Sequence, residues 1–345
     1  MKHIFYLQKG IAVEEFPVEY NDFYIVDNLD SSSLVNKYFF PGDEMEYTLD
    51  ALCVNLYDVF QEKVFSSQDE YNKNIDIQPQ WISRAGLDSD FPMSKECLIN
   101  NFETLLHNKM NSLGIKDGKL LNQYEEINNK KYMYAYVADC QSLINTLQQL
   151  LIGTYFSFIN FYKFLCNVDS LIIEDGVFCV TGADVQSTYS FLYSFIVQIY
   201  SIFDITTKIA YELENLRECE DKYTKMASKD ILFGDKKKLN IEKKGTIFEK
   251  SRTISIFENL RNELIHNGTW EMFVKVFVEI EDGKVKQRYI LIPDFTDEGT
   301  IVTFKNRKRF FSQDKKVNDE LPLLFSNVLK RLEITLERLV YGSKN

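Results

Sequence analysis

The sequence predicts a mainly α protein: a bundle of long helices carrying a small antiparallel β-hairpin or sheet as an insertion, with an α+β region at its N-terminal end. Three observations predict it. Apolar residues recur at spacings of three and four over long segments, the period of an amphipathic helix. Glycine and proline are scarce, at 14 and 6 of 345 residues, whereas many short strands joined by tight turns would need more of both. In the last third, one stretch changes to strict alternation and runs into Asp-Gly, the mark of a hairpin.

Composition narrows the classes. With 27 Phe and 20 Tyr against 2 Trp, most aromatics must pack in a core or an interface. The formal net charge of −11 counts against a general, sequence-blind nucleic-acid binder, because such binding is mostly phosphate neutralisation; a local basic site remains open. Cys53, Cys97, Cys140, Cys166, Cys179 and Cys219 are scattered, with no Cys-x-x-Cys and no Cys/His grouping at zinc spacing. Together with the lack of a signal peptide, this leads us to expect a reduced, cytoplasmic protein without metal or other cofactor. The apolar segments Leu150–Tyr162 and Tyr189–Phe203 fall short of the ~20 residues a membrane span requires, so they read as core helices.

In chain order, His3–Leu7 and Phe23–Val26 have the look of short strands, and Met45–Phe60 is helical through Leu49, Leu52, Leu56 and Phe60. Ser66–Pro79 is polar and loop-like, and Trp81 reads as packing. A helix over Met93–Leu113, capped by Ser94, carries His107 as a solvated residue with no assigned role. Gly114–Asn129 is a charged connector with a turn at Lys116–Lys119. A long helix follows over Val137–Leu165, then a small hairpin around Asp175-Gly176, then a second long helix over Asp184–Leu216. The first half of that second helix is apolar almost all round, from Tyr189 through Phe203, which fits burial on several sides or a partner surface. Arg217–Lys250 is charged. Within it Lys236, Lys237, Lys238, Lys243 and Lys244 form a basic run, read either as a solvated loop or as a phosphate-attracting flank for the next helix. Val274–Ile280 alternates as a strand, Asp282-Gly283 turns, Arg288–Ile292 is the second strand and Ile301–Phe304 a third. Lys305, Arg307, Lys308 and Arg309 make a second basic cluster. The last helix starts near Asn318, holds Pro322 in its first turn and aligns Leu321, Phe325, Val328, Leu332, Leu336 and Leu339.

Ser251–Trp270 holds the chemistry. Ile254, Phe257, Leu260, Leu264 and Ile265 define an apolar face, and Glu258, Asn262 and His266 fall opposite it at ~100° per residue. Arg261 lies between the two faces. Asn262 and His266 are one turn apart, and Asn267-Gly268 reads as a C-terminal cap. In the last turn the helix dipole favours a cation by ~0.3–1 kcal/mol, which suits an imidazole that gives and takes protons near neutral pH. The simplest reading is that Arg261 and His266 only cap the last carbonyls of the helix.

The pattern Leu260-Arg261-Asn262-Glu263-Leu264-Ile265-His266-Asn267-Gly268, set between a long apolar helix with a charged connection and a later helix, resembles the HEPN superfamily. Its signature is an arginine, usually followed by a polar residue, with four to six residues before a histidine. The resemblance covers about 184–341, within a helical domain over 131–345, with a β insertion at about 272–304 that departs from the simplest form of the family. Residues 1–130 have no counterpart in it. The resemblance implies a metal-independent endoribonuclease of the kind found in toxin–antitoxin, abortive-infection and other antiviral systems. It implies a homodimer with both motifs lining one cleft, and an RNA target such as tRNA, mRNA or phage RNA. His266 would act on protons as a ribose 2′-hydroxyl attacks the adjacent phosphate, Arg261 would stabilise the phosphorane-like charge, and Asn262 would position phosphate or imidazole. The alternatives are an inactive HEPN-like dimerisation or ligand-binding module, and a subunit whose first 130 residues recognise an antitoxin or sensor protein.

Overall fold

The computed structural model describes residues 4–6, 12–17, 23–28, 37–41, 43–72, 129–168, 174–219, 222, 224, 226, 239–305 and 308–342. The chain is mainly helical with small antiparallel sheets, as the periodicity predicts. The predicted helix over Met93–Leu113, the connector after it, Trp81 and Lys236–Lys238 lie outside the described residues.

The N-terminal strands β1 (Ile4–Tyr6), β2 (Ala12–Pro17), β3 (Phe23–Asn28) and β4 (Lys37–Pro41) form an antiparallel meander in that order. The sequence shows β1 and β3 but not β2 and β4. Helices α1 (Asp43–Phe65) and α2 (Gln68–Asn72) follow, the second a single turn inside the stretch expected to be loop. The long helices are α3 (Lys131–Cys166), α4 (Ala183–Glu214), α5 (Arg252–Asn267) and α6 (Val317–Tyr341). Among the described residues no helix is long and apolar enough to cross a membrane.

The chain divides into two compact units whose boundaries fall inside α1, α3, α4 and α6. One comprises 1–51, 148–203 and 242–336; the other comprises 52–147, 204–241 and 337–345. The first has an aromatic core. Phe158 of α3, Phe195 of α4 and Phe325 of α6 lie 5.0–5.5 Å apart between ring centroids, and Phe257 of α5 stands 6.0 Å from Phe195. Such tilted and edge-on pairs add roughly 0.5–1.5 kcal/mol each beyond the area they bury. Tyr189, Leu192, Phe195, Ile196, Ile199, Tyr200 and Phe203 are buried and Phe191 is half-buried, so most of the apolar half of α4 faces the core.

The second unit is built around a buried carboxylate. Glu212 is 1% exposed, accepts a hydrogen bond from the Tyr136 hydroxyl at 2.9 Å, and takes a two-pronged pair from Arg217 at 3.1 Å on each oxygen. Burial pushes the Tyr136 phenol and the Cys140 thiol well up.

The sheets correct several expectations. Strand β5 (Gly176–Val180), the far side of the hairpin expected at Asp175-Gly176, pairs with β6 (Val276–Glu281), about a hundred residues away in the chain. The Asp175 carboxylate accepts the Gly283 N–H at 3.0 Å, tying the two Asp-Gly turns together. The second strand of the later hairpin is β7 (Lys284–Tyr289), not Arg288–Ile292, because Asp282 and Gly283 (φ 53° and 69°) make a two-residue turn and the strand starts at once. The segment expected as a third strand contributes only Thr303–Phe304 (β8), which pairs with β9 (Lys308–Arg309) in a separate ribbon, while Ile301 makes an isolated bridge to Phe295.

Candidate functional site

Helix α5 starts at Ser251, whose hydroxyl accepts the Ile254 N–H at 3.4 Å, and ends at Gly268 (φ 85°), whose N–H donates to the Leu264 carbonyl. The C-terminal cap agrees with the sequence. Its inner face is Ile256, Phe257, Leu260, Glu263 and Leu264. One expectation fails here: Ile265 is 53% exposed, and Ile256, which the apolar spacing does not select, is inside. The face has rotated because Glu263, a residue no apolar pattern selects, is turned inward. Its carboxylate pairs with Arg309 of β9 and accepts from the Asn267 side chain at 3.0 Å.

Arg261, Asn262 and His266 occupy the outer side of the last two turns. Asn262 and His266 are exposed and Arg261 is half-buried. The Arg261 guanidinium lies 5.0 Å from the centre of the Tyr200 ring and donates to the Asn262 side-chain oxygen at 3.0 Å. A cation over an aromatic face gains roughly 0.5–2 kcal/mol, so α4 fixes where this arginine points. None of the described residues hydrogen-bonds to His266, which leaves the imidazole open to solvent. The chain beyond the cap is pinned: Trp270 is buried and its indole N–H donates to the Leu291 carbonyl at 3.2 Å, while the Tyr193 hydroxyl donates to Thr269 at 2.7 Å.

Lys243 and Lys244 sit in the turn-rich segment leading into the N-terminal end of α5. That segment is held on α6, with Arg331 donating to the Thr246 carbonyl and the Glu249 carboxylate, and the Ile247 N–H donating to Thr335. His266 is fourteen residues further along, ~21 Å of helix from Arg252. The lysines therefore enter at the end of α5 remote from the histidine. Of the second basic cluster, Arg309 is spent on Glu263, Lys305 and Lys308 are exposed, and Arg307 lies outside the described residues.

Sequence reasoning missed the Glu263–Arg309 pair and the Tyr200 platform. A glutamate interrupting an apolar stripe was the local signal for the first. Nothing local encodes the second, since Tyr200 and Arg261 meet only through the packing of α4 on α5. Among the described residues no group of three or more His, Cys, Asp or Glu is placed to hold a metal ion. Comparison with family models, with curated proteins and with solved structures returns no match.

Proposed function

We propose that the chain is a metal-independent endoribonuclease of HEPN type, acting in antiviral defence or toxin–antitoxin control, with Arg261, Asn262 and His266 as its site. One observation carries the reading: the three motif side chains reach solvent together on two turns of one helix, with the guanidinium oriented by Tyr200 and Asn262. In the proposed reaction the ribose 2′-hydroxyl attacks the adjacent phosphorus. The bond to the leaving 5′-oxygen breaks, giving a 2′,3′-cyclic phosphate and a 5′-hydroxyl. His266 moves the proton, and a positioned acid–base group contributes roughly 10²–10⁴-fold. Arg261 meets the charge that develops on the phosphoryl oxygens.

The test is cleavage of total RNA by purified protein with and without chelator. The expected result is cyclic-phosphate ends in both conditions, and loss of cutting by at least about a hundredfold in His266→Ala and Arg261→Ala. Cutting by His266→Ala at the wild-type rate would overturn the assignment, and loss of cutting on chelation would overturn the metal-independent mechanism.

The second reading, an inactive HEPN-like module that assembles with a partner, is favoured by the lack, among the described residues, of a hydrogen-bonded neighbour orienting His266. A homodimer supplying that neighbour from a second copy distinguishes the two. Sedimentation should show a dimer, and mixing His266→Ala with Arg261→Ala protein should restore part of the activity if one cleft uses both copies.

A further inference from the structure

The β8–β9 ribbon is an exposed aromatic and cationic face attached to the turn of α5 that carries the motif. Phe304 and Lys308 are directly opposite in register, so they share one side of the ribbon, and Thr303 and Arg309 share the other. Arg309 is buried on Glu263, which fixes that second side toward α5. Phe304 is 52% exposed and Lys308 is exposed with it; Phe310, the next residue out, is 44% exposed. Lys305, held at φ 51°, puts its ammonium 5.4 Å from the centre of the Phe304 ring. Neither Lys305 nor Lys308 has an acidic partner among the described residues. In a chain of net charge −11, this is a local concentration of positive charge, without an acidic partner among the described residues, beside exposed aromatic side chains. The contrast with Phe273 is instructive: it too is half exposed beside a lysine, but that lysine, Lys275, is neutralised by Glu271 at 2.8 Å.

The base of the ribbon is also tied down by hydrogen bonds. Asp294 accepts the Ser312 N–H at 2.8 Å, the Ser312 hydroxyl at 2.6 Å and the Gln313 N–H at 3.0 Å. Its own N–H donates to the Phe310 carbonyl and its carbonyl accepts from Val302, both at 2.8 Å, so one residue clamps the two ends of the ribbon. Glu263 and His266 are one turn apart on α5, so Arg309 anchors the ribbon to the turn of the helix that also carries the imidazole.

Aromatic faces stack on bases that are not already stacked in a duplex, and flanking cations take the phosphates between them. We propose that Phe304, Phe310, Lys305 and Lys308 form a docking face for unpaired RNA, which restricts cutting to single-stranded segments. The proposal rests on the ribonuclease reading of α5 and names the substrate class of that site.

The experiment measures binding without cutting. A short fluorescent 2′-O-methyl oligouridine lacks the attacking hydroxyl and is titrated into full-length protein by anisotropy, alongside the same strand in a blunt duplex. Phe304→Ala and Phe310→Ala should each weaken the single strand by about five- to a hundredfold, the equivalent of ~1–3 kcal/mol of stacking per base. Phe304→Leu keeps the apolar bulk and should weaken binding as much as the alanine variant. Lys308→Gln should lower affinity and flatten its salt dependence. Duplex binding should be weaker and insensitive to the phenylalanines. No binding by wild type, equal binding of duplex, or unchanged affinity in folded Phe304→Leu each overturns the proposal. If His266→Ala cuts like wild type while Phe304→Leu loses the strand, the catalytic reading fails and the docking face stands.

Discussion

Glu263 and Arg309 are each about nine-tenths removed from solvent, and each supplies the other's counter-charge. Breaking such a pair leaves a buried charge alone, which typically costs about 3–5 kcal/mol, whereas replacing both partners is far milder. Arg309→Met should therefore destabilise strongly in urea unfolding, and the double variant Glu263→Gln/Arg309→Met should recover much of the loss. If the double variant is no more stable than the single, the pair is not the source of the effect. At this scale the outer face of α5 was legible, since the helical period alone places Asn262 and His266 on one strip. The inner face was legible only in part. Ile265 and Ile256 lie at the margins of the apolar stripe, and which of them is buried depends on a partner for Glu263 that lies 46 positions further along the chain.

The segment 294–302 packs against the N-terminal half of α5 through Gly299, where the backbone comes too close for any side chain. A Cβ at Gly299 would stand 2.5 Å from the Arg252 carbonyl oxygen and 3.0 Å from the Ser255 side chain. Gly268, at the C-terminal end of α5, shares the same φ of 85° but has open space around it. Alanine at a positive φ loses more than ~1 kcal/mol in either place, and only Gly299→Ala adds a clash with backbone. Chemical denaturation should thus rank Gly299→Ala below Gly268→Ala by a clear margin; equal losses would mean that the close approach contributes nothing. The elements themselves divide the same way. Long amphipathic helices such as α6, whose six aligned apolar residues are all buried, are legible because the pattern repeats over many turns. Strand β5 is legible as a strand but not in its pairing, because its partner is remote in sequence. β7 lies on a sheet edge and reads Lys-Val-Lys-Gln-Arg-Tyr, so the apolar run just after it drew the assignment away.

Over the whole molecule, Asp139 and Asp294 lie in different compact units and are shifted in opposite directions, so their contributions to stability depend oppositely on pH. In the unit containing 204–241, burial, with Glu212 nearby, pushes the half-buried Asp139 up to about 6. A folded-state value above the unfolded one means that the folded unit holds the extra proton. Its contribution is complete below the ordinary aspartate value, ~3.9, and is lost as pH rises through about 6. In the unit containing 242–336, burial alone would raise Asp294, but the bonds from Ser312 and Gln313 outweigh it and hold the carboxyl below its ordinary range. That contribution is present above the ordinary value and is lost as pH falls through the lowered one. Thermal melts from pH 4 to 8 separate the two. Asp139→Asn carries no charge at any pH, so it should melt above wild type at neutral pH and converge with it near pH 4. Asp294→Asn should melt below wild type at neutral pH, with the gap closing only in stronger acid. A gap between Asp139→Asn and wild type that stays constant across the range would show that Asp139 does not titrate differently in the folded protein. The Glu212 network would then carry its charges without imposing a protonation cost on its neighbour.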